Sequence, residues 1–207
     1  MRIEVWADIV CPWCYIGKRR LESALARFSQ PVDIVWRAFE LDPNAKPVRD
    51  EVGNAERLAQ KYRIPVERAQ MMIDRVTAMA ADDGLEFHLD RARSGNSFDA
   101  HRVVHLGREH GVAPAVLERV MRAYFSEGEA IGDRDVLARI APEAGLSPDE
   151  VRDVLATDRY ATDVRADETR AHELGITGVP FFLIDERLAV SGAQPADVLV
   201  AAMRKAA

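Results

Sequence analysis

Hydrophobic and polar residues alternate at the start of the chain and then change period. Ile3 and Val5 alternate with Arg2 and Glu4, which is typical of a half-buried strand. Apolar residues then recur at helical spacing before the proline at position 31: Ile16, Leu21, Leu25 and Phe28. Residues 32–36 are rich in β-branched and aromatic side chains and predict a second strand. Two strands joined by a helix form a βαβ unit, whose strands are normally parallel.

From about Asn54 to Leu174 the pattern is almost entirely helical. Three stretches carry apolar stripes with the period of an amphipathic helix. The stripes consist of Ala69, Met72, Ile73, Val76, Met79 and Ala80, then Val116, Leu117, Val120, Met121, Tyr124 and Phe125, then Val136, Leu137 and Ile140. Ser147 and Glu150 have the spacing of a capping box, with Pro148 at the first helical position. This stretch predicts a helical bundle inserted between two α/β segments.

The last segment returns to a mixed pattern. A helix is expected to end near Gly175, and residues 181–184 form a short apolar run that predicts a buried strand. Residues 188–190 predict a returning strand, and Pro195 opens a final helix. We therefore assign residues 1–44 and 160–207 to one α/β unit and residues 45–159 to an inserted all-helical domain.

Composition excludes several classes of function. The 207 residues are 48% hydrophobic and 30% charged, which is ordinary for a soluble domain. Acidic residues outnumber basic ones by 34 to 28, and this balance argues against binding to nucleic acids or anionic membranes. No apolar run approaches the roughly 20 residues that span a bilayer. Residues 1–8 place acids where a signal peptide needs an apolar core, so we predict a cytoplasmic protein.

The chain has two cysteines, Cys11 and Cys14, separated by Pro12 and Trp13. Structural disulfides are rare in the cytoplasm, and a C-x-x-C between a strand and a helix indicates a redox motif. Unpaired N–H groups at the helix N-terminus stabilise a thiolate at Cys11. We therefore expect Cys11 to be solvent-accessible with a lowered pKa. Cys14, one turn deeper, is expected to be more buried and to resolve a mixed disulfide.

A zinc site and two inert core thiols are the alternatives for this cysteine pair. Zinc needs four ligands, and His101 and His105 are the candidates to complete the set. They lie far from the cysteines, without zinc-finger spacing, and the Glu of H-E-x-x-H is missing between them. The Pro-Trp pair at a strand–helix junction disfavours inert thiols, so the sequence predicts a redox dithiol and no metal.

A second signal lies in residues 175–182, Gly-Ile-Thr-Gly-Val-Pro-Phe-Phe. Pro180 stands directly before a predicted buried strand, where proline removes a hydrogen-bond donor from the ladder. A trans proline at a strand start and a cis proline both account for this placement, and composition alone favours the trans form.

The early Cys-x-x-Cys and the late Gly-Val-Pro together resemble the thioredoxin fold, and the helical insertion resembles that of DsbA-like oxidoreductases. Segments that resemble the FrnE subfamily cover the chain from near its start to near its end: residues 8–17 (DIVCPWCYIG), 97–102 (SFDAHR), 178–182 (GVPFF) and 191–194 (SGAQ). The resemblance implies an α/β thioredoxin fold with an inserted all-helical domain. It also implies that Cys11 is the nucleophile, Cys14 the resolving thiol and Pro180 a cis proline beside them.

The resemblance further implies a substrate-binding surface. Val179, before Pro180, is expected to offer its backbone to an extended substrate peptide. Phe98 and His101 are placed near the active-site groove, although a capped helix with a packed histidine explains them equally well. Asp8 either tunes the thiols from below or ends its strand. No cofactor is implied beyond glutathione as a possible redox partner; the expected partners are protein or small-molecule thiols and disulfides. Some FrnE-like proteins carry a second cysteine pair, which this chain lacks.

The sequence therefore predicts an enzyme of the protein-disulfide oxidoreductase or isomerase type that works through a mixed disulfide. One alternative is a glutathione-dependent isomerase or transferase of the kappa-like branch, similar to 2-hydroxychromene-2-carboxylate isomerase. That branch typically has serine at the position of Cys11 and lacks the C-x-x-C. Another alternative is a non-enzymatic peptide-binding or chaperone module, whose binding would survive the loss of both thiols.

Overall fold

The computed structural model describes residues 1–47, 53–93 and 95–207 and contains a four-stranded mixed sheet. The strands are β1 (Arg2–Ala7), β2 (Asp33–Ala38), β3 (Phe181–Ile184) and β4 (Leu188–Ser191), arranged in the order β2-β1-β3-β4. β1 pairs in parallel with β2 and antiparallel with β3, which pairs antiparallel with β4. The predicted strands are thus confirmed, including the parallel pair of the βαβ unit.

The helices are α1 (Pro12–Leu25), α2 (Asn54–Tyr62), α3 (Val66–Asp82), α4 (Phe98–Glu109), α5 (Ala113–Arg122), α6 (Arg134–Ile140), α7 (Pro148–Ala156), α8 (Ala161–Glu173) and α9 (Ala196–Ala206). A π-helical turn (Ala123–Glu127) follows α5, and a 3-10 turn (Ala141–Ala144) follows α6. Every regular element in the described residues between β2 and β3 is helical, as the hydrophobic pattern predicts. Residues 48–52 and 94 of the predicted helical domain lie outside the described residues.

The two faces of the sheet are covered by different helices. Ile3 and Val5 of β1 belong to a large hydrophobic core shared with α1, α9 and the inserted helices. Trp6 points to the opposite face, where it packs with Ala171 of α8 and Leu183 of β3. Because the large core runs from the sheet into the insertion, α1 is held between these two parts of the molecule.

A polar cluster fixes α1 to α5 and corrects one sequence expectation. The basic run of residues 18–20 in the sequence is typical of a solvated helix face, but Lys18 is only 3% exposed. Lys18 bonds to Glu118 of α5 and to Glu22 of its own helix, and the Tyr15 hydroxyl donates to Glu118 at 2.6 Å. Burial alone would raise the pKa of Glu118, but the hydrogen bonds from Lys18 and Tyr15 lower it. The ionised Glu118 therefore anchors the helix that carries the cysteines.

Two further local predictions are wrong. Met72 is 43% exposed, because the buried face of α3 is formed by Ala69, Val76 and Ala80. Ser147 does not cap α7 with its side chain, and Glu150 faces His110 at 3.1 Å instead of closing a capping box. Both errors concern helix surfaces, where a neighbouring element decides which side chain is covered.

Candidate active site

The two cysteines lie at the junction between β1 and α1. Cys11 is the N-cap residue of α1, Pro12 stands in its first turn, and the Cys14 N–H donates to the Cys11 carbonyl oxygen at 3.0 Å. Neither cysteine forms a disulfide, and the two thiols lie close enough for Cys11 to raise the pKa of Cys14. The strand-to-helix turn therefore brings both sulfurs together at the positive end of the helix dipole.

The expectation that the Cys11 thiol is solvent-accessible is wrong. Cys11 is 4% exposed and Cys14 is 1% exposed, so Cys14 is the more buried of the two, as predicted. The Cys11 thiol donates to the Val179 carbonyl oxygen at 3.8 Å, so the loop before β3 lies over the sulfur. Trp13, 39% exposed, is the open part of the motif. Trp13 and the Val179 loop therefore lie between the solvent and the Cys11 sulfur.

Pro180 packs directly on the helix that carries the cysteines. The Val179–Pro180 peptide bond is cis, and the Pro180 carbonyl oxygen accepts a hydrogen bond from the Gly192 N–H at 2.8 Å. A β-carbon added at Gly17 of α1 would lie 2.8 Å from Cγ of Pro180. Glycine at position 17 thus allows the proline ring to approach α1 more closely than any other residue would.

Gly17→Ala is expected to lower the free energy of unfolding by roughly 1–3 kcal/mol, because the added methyl overpacks against Pro180. Alanine favours the helix over glycine by about 1 kcal/mol, so helix propensity alone would stabilise the variant. A net loss of stability can therefore be attributed to the clash with Pro180. The matched control is Gly178→Ala, which meets no atom within 4 Å and is expected to change stability by less than about 0.5 kcal/mol. Urea unfolding measures both variants, and a Gly17→Ala protein as stable as the wild type would contradict the close approach.

Two buried ionisable residues, Asp8 and His101, lie beside the dithiol. Asp8 is 1% exposed, and its carboxylate accepts hydrogen bonds from the N–H groups of Leu41 at 2.7 Å and Val10 at 3.4 Å. The backbone of Asp8 also acts on the Cys14 thiol and lowers its pKa. His101, 4% exposed, places Nε2 at 3.5 Å from Oδ1 of Asp8. The structure therefore joins His101 of the helical insertion to the loop that precedes Cys11.

The surroundings of Cys14 disfavour its thiolate. Burial raises the pKa of the Cys14 thiol well above its usual value, and the hydrogen bond and charge of Cys11 raise it further. The Asp8 N–H opposes this rise, whereas the Asp8 carboxylate adds to it. Cys14 is therefore a protonated thiol at neutral pH, and it must lose a proton before it can attack a disulfide.

Phe98 lies in a polar cluster at the start of α4. Its N–H, at the start of the helix, donates to Oδ1 of Asn96 at 2.8 Å, so Asn96 supplies the side-chain cap for this helix. The guanidinium carbon of Arg165 lies 4.3 Å from the Phe98 ring centroid, and that of Arg102 lies 5.8 Å away. Phe98 is half-buried and forms the apolar surface on which these two arginines rest.

Glu40 is a buried acid that sequence reasoning missed. Its side chain is 0% exposed, bonds to Arg165 at 2.5 Å and accepts from Nδ2 of Asn96 at 3.1 Å. Burial raises the pKa of Glu40; Arg165 and His101 oppose this rise, whereas Glu168 adds to it. The sequence feature that could have revealed Glu40 is its position two residues beyond a buried strand, next to the segment that contacts Asp8.

The residues weighed for a metal site are used elsewhere. His105 lies 3.0 Å from Oδ2 of Asp167 rather than beside the cysteines. In residues 1–47, 53–93 and 95–207 no group of three or more His, Cys, Asp or Glu side chains is arranged to hold a metal ion. Across the same described ranges, no helix has the length and apolarity needed to cross a membrane.

Comparison with known proteins places this arrangement in a family. The model of the DSBA-like thioredoxin domain matches residues 2–204. The chain belongs to the DSBA-like thioredoxin domain family. The resemblance to DsbA-like proteins, and the thioredoxin fold that it implies, are thus confirmed. The protein is an oxidoreductase of the DsbA-like type.

Three relatives show how far the DSBA-like similarity extends. The crystal structure of the "probable DsbA oxidoreductase SCO1869" from Streptomyces coelicolor is 44% identical, covers 100% of this chain and 89% of that one, and has a TM-score of 0.94. The protein YwbO of Bacillus subtilis (strain 168) is 30% identical over 96% of this chain and 93% of its own length. The cytosolic disulfide reductase DsbM from Pseudomonas aeruginosa shares the fold at 18% identity, with a TM-score of 0.68 and 100% coverage of both chains. DsbM has also been solved with GSH.

Proposed function

We propose that the protein is a thiol–disulfide oxidoreductase whose Cys11–Cys14 dithiol works through a mixed disulfide. The observation that carries this proposal is the pair of free, neighbouring thiols at the N-terminus of α1. The unpaired N–H groups of the first helical turn stabilise negative charge at Cys11, while Cys14 stays protonated in its buried position. This difference favours Cys11 as the attacking sulfur and Cys14 as the resolving one.

The reaction then runs in two balanced steps. The Cys11 thiolate attacks a substrate disulfide, so a Cys11–substrate bond forms and the other substrate sulfur leaves as a thiolate. Cys14 then attacks the Cys11 sulfur, forms the Cys11–Cys14 disulfide and releases the bound substrate sulfur. Two electrons pass from the dithiol to the substrate, and the reverse sequence oxidises a substrate dithiol. A second thiol or disulfide partner restores the starting state.

The substrate site is assigned to the surface around the dithiol. Val179 lies against Cys11 through its carbonyl oxygen, and its place before Pro180 supports backbone contact with an extended peptide. Trp13 adds an exposed aromatic surface beside the thiols. Pro12 is suited to the first turn of α1, because an N–H group there has no hydrogen-bond partner within the helix and its absence costs no bond. We therefore expect the substrates to be disulfides or thiols, carried either by extended peptides or by small molecules.

We propose that glutathione is the small-molecule partner of the protein. We also propose that the protein works in the cytoplasm and belongs to the FrnE subfamily. The DsbM structure with GSH supports a glutathione-linked role for this fold, although DsbM is only 17% identical to this chain. The cysteine pair favours disulfide exchange over the kappa-like isomerase reaction, because that branch typically has serine at the first position. No metal, nucleotide or flavin enters the proposed reaction.

A glutathione redox titration tests the proposal. The folded protein is equilibrated in buffers of different reduced-to-oxidised glutathione ratios, quenched with acid, alkylated, and its free thiols are counted by mass spectrometry. We expect both thiols to disappear together in one transition, with a minor species carrying one glutathione. The control is the same chain unfolded in denaturant, whose dithiol is expected to show a different midpoint because α1 is lost. Thiols that stay reduced at every ratio would contradict the proposal.

A further inference from the structure

The attacking sulfur is covered by the loop before β3. Cys11 is 4% exposed although it stands at the N-terminus of α1, whereas Trp13, two residues further on, is 39% exposed. A thiol has one hydrogen, and Cys11 donates it to the Val179 carbonyl oxygen at 3.8 Å. This hydrogen bond exists only while the sulfur keeps its proton, because a thiolate has no hydrogen to donate. The site without substrate therefore holds Cys11 covered and in its less reactive, protonated form.

The Val179 carbonyl oxygen is held in place over the sulfur. The next residue, Pro180, packs on α1, where a β-carbon added at Gly17 would lie 2.8 Å from the Pro180 Cγ. The Pro180 carbonyl oxygen also accepts a hydrogen bond from the Gly192 N–H at 2.8 Å. The acceptor of the Cys11 thiol is thus anchored on both sides, so a competing donor is needed to release the sulfur.

The loop that carries this oxygen has an open backbone edge. In the part of the chain that the structure describes, no N–H group of residues 177–179 donates to another backbone group. β1 pairs Trp6 with Phe181 and ends at Ala7, so this strand does not reach Val179. An extended peptide can add to such an edge as a further strand. Its amide N–H groups would then compete for the oxygen that holds the Cys11 thiol.

The competing donor is the stronger one. An amide N–H approaches a carbonyl oxygen to about 2.9–3.0 Å. The Cys11 thiol is a weak donor and stays 3.8 Å away from the same oxygen. An amide N–H therefore displaces the thiol. The released sulfur can then lose its proton beside the positive end of the α1 dipole.

We propose that the Val179 carbonyl oxygen keeps Cys11 inactive until an amide N–H group of a bound substrate replaces the thiol at that oxygen. Substrate binding thereby activates the attacking sulfur. This proposal rests on the thiol–disulfide exchange proposed above and adds a substrate class to it: disulfides whose sulfurs are flanked by amide groups, as in peptides and glutathione. Alkyl disulfides without amide groups lack the activating contact and are poor substrates.

The activation step balances. The hydrogen bond from Cys11 to Val179 breaks, a hydrogen bond from the substrate N–H to the same oxygen forms, and the thiol proton passes to a base in the solvent. No electrons move in this step. The thiolate then attacks the substrate disulfide, so that a bond from Cys11 to one substrate sulfur forms, the disulfide bond breaks and its electron pair leaves on the other sulfur.

The sign of a peptide's effect separates this activation from simple binding. If the loop were only a binding surface, a bound peptide would cover Cys11 further and slow its reaction with a small reagent. If the Val179 carbonyl oxygen holds Cys11 inactive, a bound peptide speeds up that reaction. A peptide without cysteine is the suitable probe, because it cannot exchange with the thiol.

Alkylation by iodoacetamide measures the reactivity of Cys11 directly. The Cys14→Ser protein, whose one remaining thiol is Cys11, is mixed with iodoacetamide near neutral pH, and mass spectrometry follows the alkylated fraction over time. The probe is a peptide of alternating valine and serine, acetylated at its N-terminus and amidated at its C-terminus. We expect this peptide at millimolar concentration to speed up alkylation by about two- to fivefold, the effect of losing one weak hydrogen bond. The same peptide with N-methylated amides is expected to have no effect.

Val179→Gly, made in the Cys14→Ser protein, tests the contact from the side of the loop. Glycine loosens the backbone at this position, so we expect alkylation without peptide to be about two- to fivefold faster and the peptide effect to shrink. The matched control is Val198→Gly, which removes a 43% exposed valine of α9 and is expected to leave both rates unchanged. Circular dichroism confirms that each variant is folded, and the two peptides decide alone if Val179→Gly does not fold.

Alkylation that the peptide slows or leaves unchanged would overturn the proposal, and so would acceleration by the N-methylated peptide. A second assay separates this failure from that of the proposed function. The Cys14→Ser protein is mixed with glutathione disulfide or with 2-hydroxyethyl disulfide, and each rate of mixed-disulfide formation is divided by that of the unfolded chain. We expect the larger ratio for glutathione disulfide, and equal ratios would contradict the substrate class. No mixed disulfide with either reagent would defeat the proposed function itself.

Discussion

Cys11→Ser is expected to abolish disulfide exchange, whereas Cys14→Ser is expected to accumulate mixed disulfides. The reason is the division of roles at the helix N-terminus. Without Cys11 no attacking thiolate remains, because Cys14 is buried and its raised pKa keeps it protonated. Without Cys14 the first bond still forms, but nothing inside the protein can break it. Turnover is lost in both variants, and only one of them stays covalently bound to its substrate.

Non-reducing gels and mass spectrometry of both variants after incubation with oxidised glutathione or a disulfide-containing protein check this expectation. The double variant Cys11→Ser/Cys14→Ser controls for non-covalent adsorption. Equal trapping by both single variants would reverse or remove the assigned roles. An unreactive wild-type dithiol, together with a glutathione-dependent isomerase activity that survives Cys14→Ser, would favour the kappa-like alternative. Peptide binding that persists in the double variant would favour a chaperone module.

The cysteine motif was predictable because everything that defines it is local. Cys11, Pro12 and Cys14 stand at a strand end and a helix start, and hydrophobic periodicity locates both elements within a few residues. The same holds for the helix-only stretch, whose stripes report the period of each helix without reference to its neighbours. The family, the fold and the position of the cysteine pair therefore followed from short segments of sequence.

The burial of Cys11 was not predictable, because the atom that covers it comes from a distant part of the chain. Val179 is 168 residues away from Cys11, and no pattern near either residue reveals the contact. Lys18 was misjudged for the same reason, since its partner Glu118 lies 100 residues away on an inserted helix. A local pattern states that a residue is polar, but only the tertiary fold determines whether a counter-charge is present.

His101 shows both what a local sequence pattern can predict and what only the tertiary fold determines. The sequence placed it near the active site through a resemblance, and left a packed histidine as an equal explanation. The structure puts it beside Asp8, which the sequence had left between tuning the thiols and ending a strand. Glu40, the buried acid that pairs with Arg165, is marked by no sequence motif. Its burial depends on the segment after β2 meeting α8 and the residues just before α4.

Asp167 is the buried charge that joins these elements on the other side of His101. It is 1% exposed, and its carboxylate binds three donors: the N–H of Ala38 at 3.0 Å, His105 at 3.0 Å and Arg37 at 2.7 Å. Its own carbonyl oxygen accepts from the Trp6 indole at 3.0 Å. The side chain of Asp167 thus connects β2 and α4, and its backbone carbonyl adds β1, although no sequence motif marks this residue.

Asp167→Asn is expected to lower the free energy of unfolding by about 3–5 kcal/mol. The substitution removes the negative charge of a buried ion pair and leaves the groups that bind this carboxylate without their counter-charge. The matched control is Asp153→Asn, which breaks a surface pair with Arg159 in which Asp153 is 55% exposed. Its expected cost is below about 1 kcal/mol. Urea unfolding near neutral pH compares the two, and equal costs would show that the Asp167 network contributes no more than a surface pair.

The pH dependence gives this prediction a second, independent check. Burial alone would raise the pKa of Asp167, but hydrogen bonds from His105, the Ala38 N–H and Arg37 hold its pKa below the ordinary aspartate value of 3.8. A carboxyl with a lowered pKa in the folded state contributes its full stability above that ordinary value and loses it as pH falls through the folded one. The stability difference between wild type and Asp167→Asn should therefore be constant near neutral pH and shrink at strongly acidic pH. A difference that grows on acidification would mean that the network holds Asp167 protonated rather than ionised.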